Sequence, residues 1–136
     1  MSYELRDHTA DVAVEAEGPT FDAVAGAVAD GLAAAMCDDV PGEGERFDVR
    51  VDAESREALL FDYLDELIYQ RDVRGVLPVD NEVEIAERSG EFELHGSARG
   101  VPLSVVSARE IKAVTYSEME IAETADGWRA YVVFDV

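Results

Sequence analysis

Residues 10–17 alternate without a fault. Ala10, Val12, Val14 and Ala16 point one way, and Asp11, Ala13, Glu15 and Glu17 point the other. A period of two marks a half-buried strand. Gly18-Pro19 ends it, and Thr20 with Asp22 reads as the N-cap and acidic first turn of a helix. Phe21, Val24, Ala25, Val28, Leu32, Ala35 and Met36 then recur at helical spacing to about Cys37. Gly26 and Gly31 each weaken that helix by ~1 kcal/mol relative to alanine, a cost that close packing on a sheet would offset. After a Pro/Gly loop at 39–45, Phe47, Val49, Val51 and Ala53 alternate with polar residues. Ser55 caps a second helix with Leu59, Leu60, Tyr63, Leu64, Leu67 and Ile68 on its apolar face. Arg71 and Arg74 suit its negative end, and Gly75 terminates it.

Val83 and Ile85 lie on a further strand that turns at Ser89-Gly90 and returns as Phe92, Leu94 and Gly96. The chain closes on a hairpin whose favoured turn is Asp126-Gly127. With that turn Ala125 pairs with Trp128, Asp135 faces Glu118, and Val136 faces Ser117. Two helices and six or so strands predict an α+β fold, a mostly antiparallel sheet with two main helices packed on one face. The length of 136 residues predicts a single domain over 1–136.

Charge changes this picture. Asp and Glu number 31 against 11 Lys and Arg, a formal charge of −20, whereas the hydrophobic fraction of 48% is that of a packed globule. Such self-repulsion is a device of salt-adapted proteins, so most of these acids are read as solvation in a salt-rich cytoplasm. No basic stripe exists, which argues against direct nucleic-acid binding. Cys37 has no intrachain partner, in keeping with a reducing compartment. Neither a leader nor an apolar run approaching the ~20 residues of a membrane span is present. The expectation is a soluble cytoplasmic protein with no membrane partner.

Ten of the eleven basic residues are arginine, and the exception is Lys112. Lysine is a compact, strongly hydrated point charge and arginine a planar fork, so a lone lysine is either used or a chance survivor. Asp11, Asp135 and the α-carboxylate of Val136 offer three oxygen donors of the kind a hard cation such as Ca²⁺ or Mg²⁺ takes. Cys37 with two histidines does not make a zinc site. In a chain with 31 acids the competing reading is ordinary solvated carboxylates, and spacing leaves both open. His8 reads as ligand, proton shuttle or organiser of the Thr9-Ala10-Asp11 turn, and Thr115 and Tyr116 supply hydroxyls. Nucleophile elbow, phosphate loop and CxxC pair are all missing.

Four blocks together are more specific. Tyr3-Glu4-Leu5 with Asp7-His8-Thr9-Ala10-Asp11-Val12, the helix Phe61–Tyr69, the segment Lys112-Ala113-Val114-Thr115-Tyr116, and the terminal Val133-Phe134-Asp135-Val136 resemble the archease family from end to end. The resemblance implies an α+β fold and a metal-binding protein partner of the tRNA-splicing RNA ligase. Such a partner is not an enzyme itself; it promotes guanylylation of the ligase and so multiple turnover. Carried over by position, the metal site is Asp11, the Asp135 side chain and the Val136 carboxylate, holding a divalent cation, Ca²⁺ first and Mg²⁺ or Mn²⁺ as alternatives. Lys112, His8 and Tyr116 are implied functional contacts near it. Ser117 stands where the family often has histidine, which leaves that position's role open. The alternatives from other classes are a small metal-dependent phosphoester hydrolase and an acidic chaperone-like binding module.

Overall fold

A computed structural model describes residues 2–7 and 11–136, with side chains at 3, 4 and from 11 onward. In chain order the elements are β1 (Ser2–Asp7), β2 (Asp11–Gly18), α1 (Phe21–Met36), β3 (Glu45–Ala53), α2 (Arg56–Arg74), β4 (Val76–Arg88), β5 (Glu91–Pro102), β6 (Ala113–Thr124) and β7 (Gly127–Asp135). The helix boundaries are chemical. Thr20 Oγ1 accepts from the Ala23 amide at 3.1 Å, and Ser55 Oγ accepts from the Ala58 amide at 3.1 Å. Gly75, at φ 65°, ends α2 in the left-handed region that glycine enters freely. The Ser89-Gly90 turn has φ of 52° and 82°, the two positive values of a type I′ hairpin.

The strands form two antiparallel sheets, ordered β1-β2-β7-β6 and β3-β5-β4. Both helices lie between them. α1 touches β1, β2 and β7 on one side and β4 on the other, and α2 touches β6 on one side and β3, β4 and β5 on the other. The α+β class is as expected, and the helices do cover one face of each sheet, but there are two sheets to cover. The reason lies in α1, which buries twelve of its sixteen residues. A helix that is apolar all round must be enclosed. Its glycines make the fit: a Cβ on Gly31 would lie 2.5 Å from Val14 of β2, and one on Gly26 would lie 3.3 Å from the Asn81 carbonyl of β4.

The core runs continuously from Val12, Val14 and Phe134 through Leu32, Leu60 and Leu64 to Leu77 and Leu94. A chain of polar groups crosses it. Tyr63 of α2 donates to Asn81 Oδ1 at 3.2 Å, and the Asn81 amide and side chain both donate to Asp30 Oδ1 of α1 at 2.9 Å. Asn81 sits in a bulge of β4 between Val79 and Glu82, beside Asp80 at φ 49°.

The final hairpin departs from the predicted register. Thr124 pairs with Gly127, so the turn is Ala125-Asp126 and Gly127 opens β7. Glycine is needed there because a Cβ would strike the Gly18 carbonyl and lie 2.9 Å from Pro19 Cα. Pairing runs to Glu120–Tyr131 and resumes at Thr115–Val133, so residues 116–119 are bulged against Val132 alone. Asp135 therefore faces Ala113 and not Glu118, and Ser117 belongs to the bulge and does not face the end of β7. Among the described residues no helix is long and apolar enough to cross a membrane.

Candidate functional site

The first residue of β2 and the last of β7 meet. Asp11 pairs directly with Asp135, which pairs on its other side with Ala113 of β6. Residues opposed in this way share a face, with Cβ atoms about 4.5–5.5 Å apart. Their neighbours Val12, Phe134 and Val114 are buried in the core. Strand alternation therefore sends Asp11 and Asp135 out from the opposite face, away from the helices. Asp11 is half-buried, Asp135 is exposed, and Val136 is 40% exposed. Two like charges directly opposed on adjacent strands destabilise the sheet unless something neutralises them.

These donors suit a hard cation, since they offer only oxygen. Among the described residues no group of three or more His, Cys, Asp or Glu side chains gathers to hold a metal. Asp11 and Asp135 are two such side chains, and the third donor of the expected set is the main-chain carboxylate of Val136.

Lys112 lies next to this pair. Its backbone amide donates to the Asp135 carbonyl at 2.9 Å, and its side chain is exposed. The preceding residue is firmly held. Ile111 is fully buried, and its carbonyl accepts from Arg71 Nη1 of α2 at 2.7 Å. Arg71 is only 5% exposed and also contacts Met36 Sδ at 3.3 Å and Asp72 at 3.0 Å. Two residues upstream of Ile111, the Arg109 amide donates to the Met36 carbonyl at 2.8 Å, and its Nε donates to the Ala35 carbonyl at 2.9 Å. Sequence reading assigned Arg71 to the helix end and missed this anchor. The signal was its position, since Leu60, Leu64, Leu67 and Arg71 share one face at i, i+4, i+7 and i+11.

The remaining expected contacts are spread out. His8 lies outside the described residues. Tyr116 lies on the helix side of the sheet, its ring stacked on Phe61 of α2 at 4.1 Å and 3°. Partial cover, with the Asp62 and Glu57 carboxylates nearby, holds its phenol above the usual value. Thr115 Oγ1 donates to the Val133 carbonyl at 3.0 Å and lies 3.4 Å from Ser117 Oγ. His95 is exposed on β5 between Arg50 and Glu84. Open clefts of about 480 and 410 Å³ lie elsewhere, beside Glu17 and Trp128 and beside Asp30 and Cys37.

Two sheets enclosing two helices, with a pair of carboxylates where β2 starts and β7 ends, define an α+β protein whose candidate site stands on a strand end. The archease protein family model matches residues 3–136, and the chain belongs to that family. It is 39% identical over 140 residues to protein archease of Methanosarcina mazei, a match covering 98% of this chain and 95% of that one. The solution structure of Methanobacterium thermoautotrophicum protein 1598 superposes with a TM-score of 0.85 at 31% identity, covering 98% of both chains. A Thermotoga maritima crystal structure, described as an archease and possible chaperone, shares the fold with a TM-score of 0.65 at 22% identity, covering 96% of this chain and 94% of that one.

Proposed function

We propose that this chain is a metal-binding accessory protein of the tRNA-splicing RNA ligase, promoting guanylylation of the ligase and hence multiple turnover without catalysing ligation itself. The observation that carries the reading is the direct opposition of Asp11 and Asp135 at the end of two adjacent strands. Family membership supports it. The pair stands out from a strand end, next to an exposed Val136, which suits insertion into the site of another protein. Its partner is a protein of the cytoplasm, since a charge of −20 opposes direct contact with RNA phosphates.

Asp11, Asp135 and the Val136 carboxylate would hold a divalent cation, Ca²⁺ first and Mg²⁺ or Mn²⁺ as alternatives. A cation bound there supplies orientation and charge neutralisation toward phosphate oxygens. The two aspartates stand on directly paired strand positions, so their backbone spacing is set before any partner arrives. Lys112, tethered by its backbone to Asp135, brings the chain's one flexible ammonium to the same end, where it meets a phosphate as a point charge. His8, outside the described residues, is the further contact that the family resemblance implies.

The test is multiple-turnover RNA ligation by the cognate ligase at high salt, with and without this protein. Turnover beyond one equivalent of product is expected only with it. A variant with one glycine appended after Val136 is expected to melt like the parent and to give no stimulation. Full stimulation by that variant removes the terminal carboxylate from the site. A chaperone-like role, the description attached to the Thermotoga maritima structure, needs no metal, and under it Asp11→Ala would leave function intact.

A further inference from the structure

The bulge that shifts β6 against β7 also delivers Tyr116 to the side of α2. There its ring lies flat on Phe61, at 4.1 Å and 3°, yet half of Tyr116 stays exposed. A stack of this kind fixes the ring without hiding it. Glu57 and Phe61 are four residues apart on α2 and Asp62 follows, and both carboxylates act electrostatically on the phenol.

The rest of the chain shows what such surfaces hold. The Arg56 guanidinium lies between Phe92 and Trp128, 4.9 and 4.8 Å from the ring centroids, and Arg74 covers Phe47 at 4.8 Å. Each of those rings is served by an arginine of the chain itself. Among the described residues, no arginine or lysine covers the Tyr116–Phe61 stack. A planar guanidinium gains both from an aromatic face and from carboxylates placed to accept its fork of N–H groups. A nucleic-acid base would also stack, but its phosphates would meet Asp62, Glu57 and a chain of charge −20.

We propose that Tyr116, stacked on Phe61 and rimmed by Asp62 and Glu57, is a docking platform for an arginine side chain in a basic segment of a partner protein. It stands on the helix side of the sheet, whereas Asp11 and Asp135 project from the other face, so it goes beyond the metal-centred reading and requires no cation.

The full chain, isotope-labelled on its backbone amides, is titrated with blocked Gly-Arg-Arg-Gly and with its lysine and citrulline counterparts, while the amide resonances of Phe61 and of Tyr116, or of the residue that replaces it, are followed by NMR. The arginine peptide is expected to give a saturable shift, tighter than lysine, with citrulline silent. Tyr116→Leu is expected to lose about tenfold in affinity, Tyr116→Phe to keep it, and Asp62→Asn to weaken it. Should Tyr116→Leu fail to fold, the Tyr116→Phe and Asp62→Asn pair carries the test alone. Equal affinity for arginine and lysine, or unchanged binding in folded Tyr116→Leu, would reduce the effect to general charge attraction and overturn the platform. A short single-stranded RNA that moves the Tyr116 resonance, or concentration-dependent broadening without peptide, would overturn it in favour of RNA or of a second copy of the chain.

Discussion

The backbone amide of Lys112 donates to the carbonyl of Asp135 at 2.9 Å, while Asp135 faces Asp11 across the neighbouring strand pair. The lone lysine, the first residue of β2 and the last of β7 thus belong to one rigid corner. The start of β2 and the end of β7 are coupled there through their direct pairing.

Because Asp11 and Asp135 are like charges in direct opposition, Asp11→Asn is expected to stabilise the metal-free protein. The gain should be about 0.2–1 kcal/mol, toward the lower end because Asp135 is exposed. Denaturation in EDTA measures it. Adding Ca²⁺ should raise the midpoint of the parent by mass action and leave Asp11→Asn behind. A parent indifferent to Ca²⁺, Mg²⁺ and Mn²⁺ would remove the cation from the proposal.

Arg71 is buried and donates to the Ile111 carbonyl at 2.7 Å. Arg71→Met keeps much of the apolar stem but leaves that carbonyl unpaired, at a cost of about 1–3 kcal/mol. The Lys112 amide, which is bonded to Asp135, should then exchange its hydrogen faster than amides of α1. Unchanged exchange at Lys112 would show that the segment is held without Arg71.

Asp30 titrates abnormally because burial disfavours its charge more than the Asn81 hydrogen bonds favour it, raising its pKa above 3.8. The folded state then binds the proton more tightly than the unfolded state does. Asp30's contribution is at its most favourable below the ordinary value and is lost as pH rises through the raised one. Asp30→Asn retains an oxygen for both Asn81 donors and should therefore gain stability relative to the parent as pH rises to neutrality. Paired urea melts between acid and neutral pH check the sign, and a gap that narrows with rising pH would contradict it.

With a net charge of −20, the fold should strengthen as monovalent salt screens repulsion among its surface acids. Melting temperature is expected to climb steadily with KCl. A flat response would show that ion pairs such as Arg129–Glu15 (2.7 Å) and Arg99–Asp80 (2.8 Å) already balance the surface.

Much of this fold is legible in the residue pattern where the controlling physics is local. Thr20 and Ser55 as caps, Gly75 as terminator, the 10–17 alternation and the Ser89-Gly90 turn need only neighbours a few positions away. β1 was not read because its sequence mixes Glu4, Arg6 and Asp7 with few apolar residues, so its strand state depends on pairing with β2. The first half of β4 was hidden by Pro78, tolerated because β4 is an edge strand. The second sheet follows from the enclosure of α1, a tertiary fact that its all-round apolar sequence only hints at. At the site, the pairing of Asp11 with Asp135 joins residues at opposite ends of the sequence; donor chemistry groups them as one of two open readings, and the family resemblance favours it. The nearness of Lys112 to the acidic end is implied by the resemblance, while the bulge at 116–119 sets a register there that the Asp126-Gly127 turn does not predict.

That bulge divides the last hairpin into two lengths with separate alignments. The outer length, from Glu120–Tyr131 to Thr124–Gly127, aligns β6 from the turn, and the inner length, at Ala113–Asp135 and its neighbours, aligns it in a second register, while β7 keeps one unbroken pairing with β2. A loop swapped or extended at Ala125-Asp126 is therefore expected to be taken up in β6 at the bulge, short of the corner where the acids stand, which makes the hairpin tip a place to attach a probe or tag.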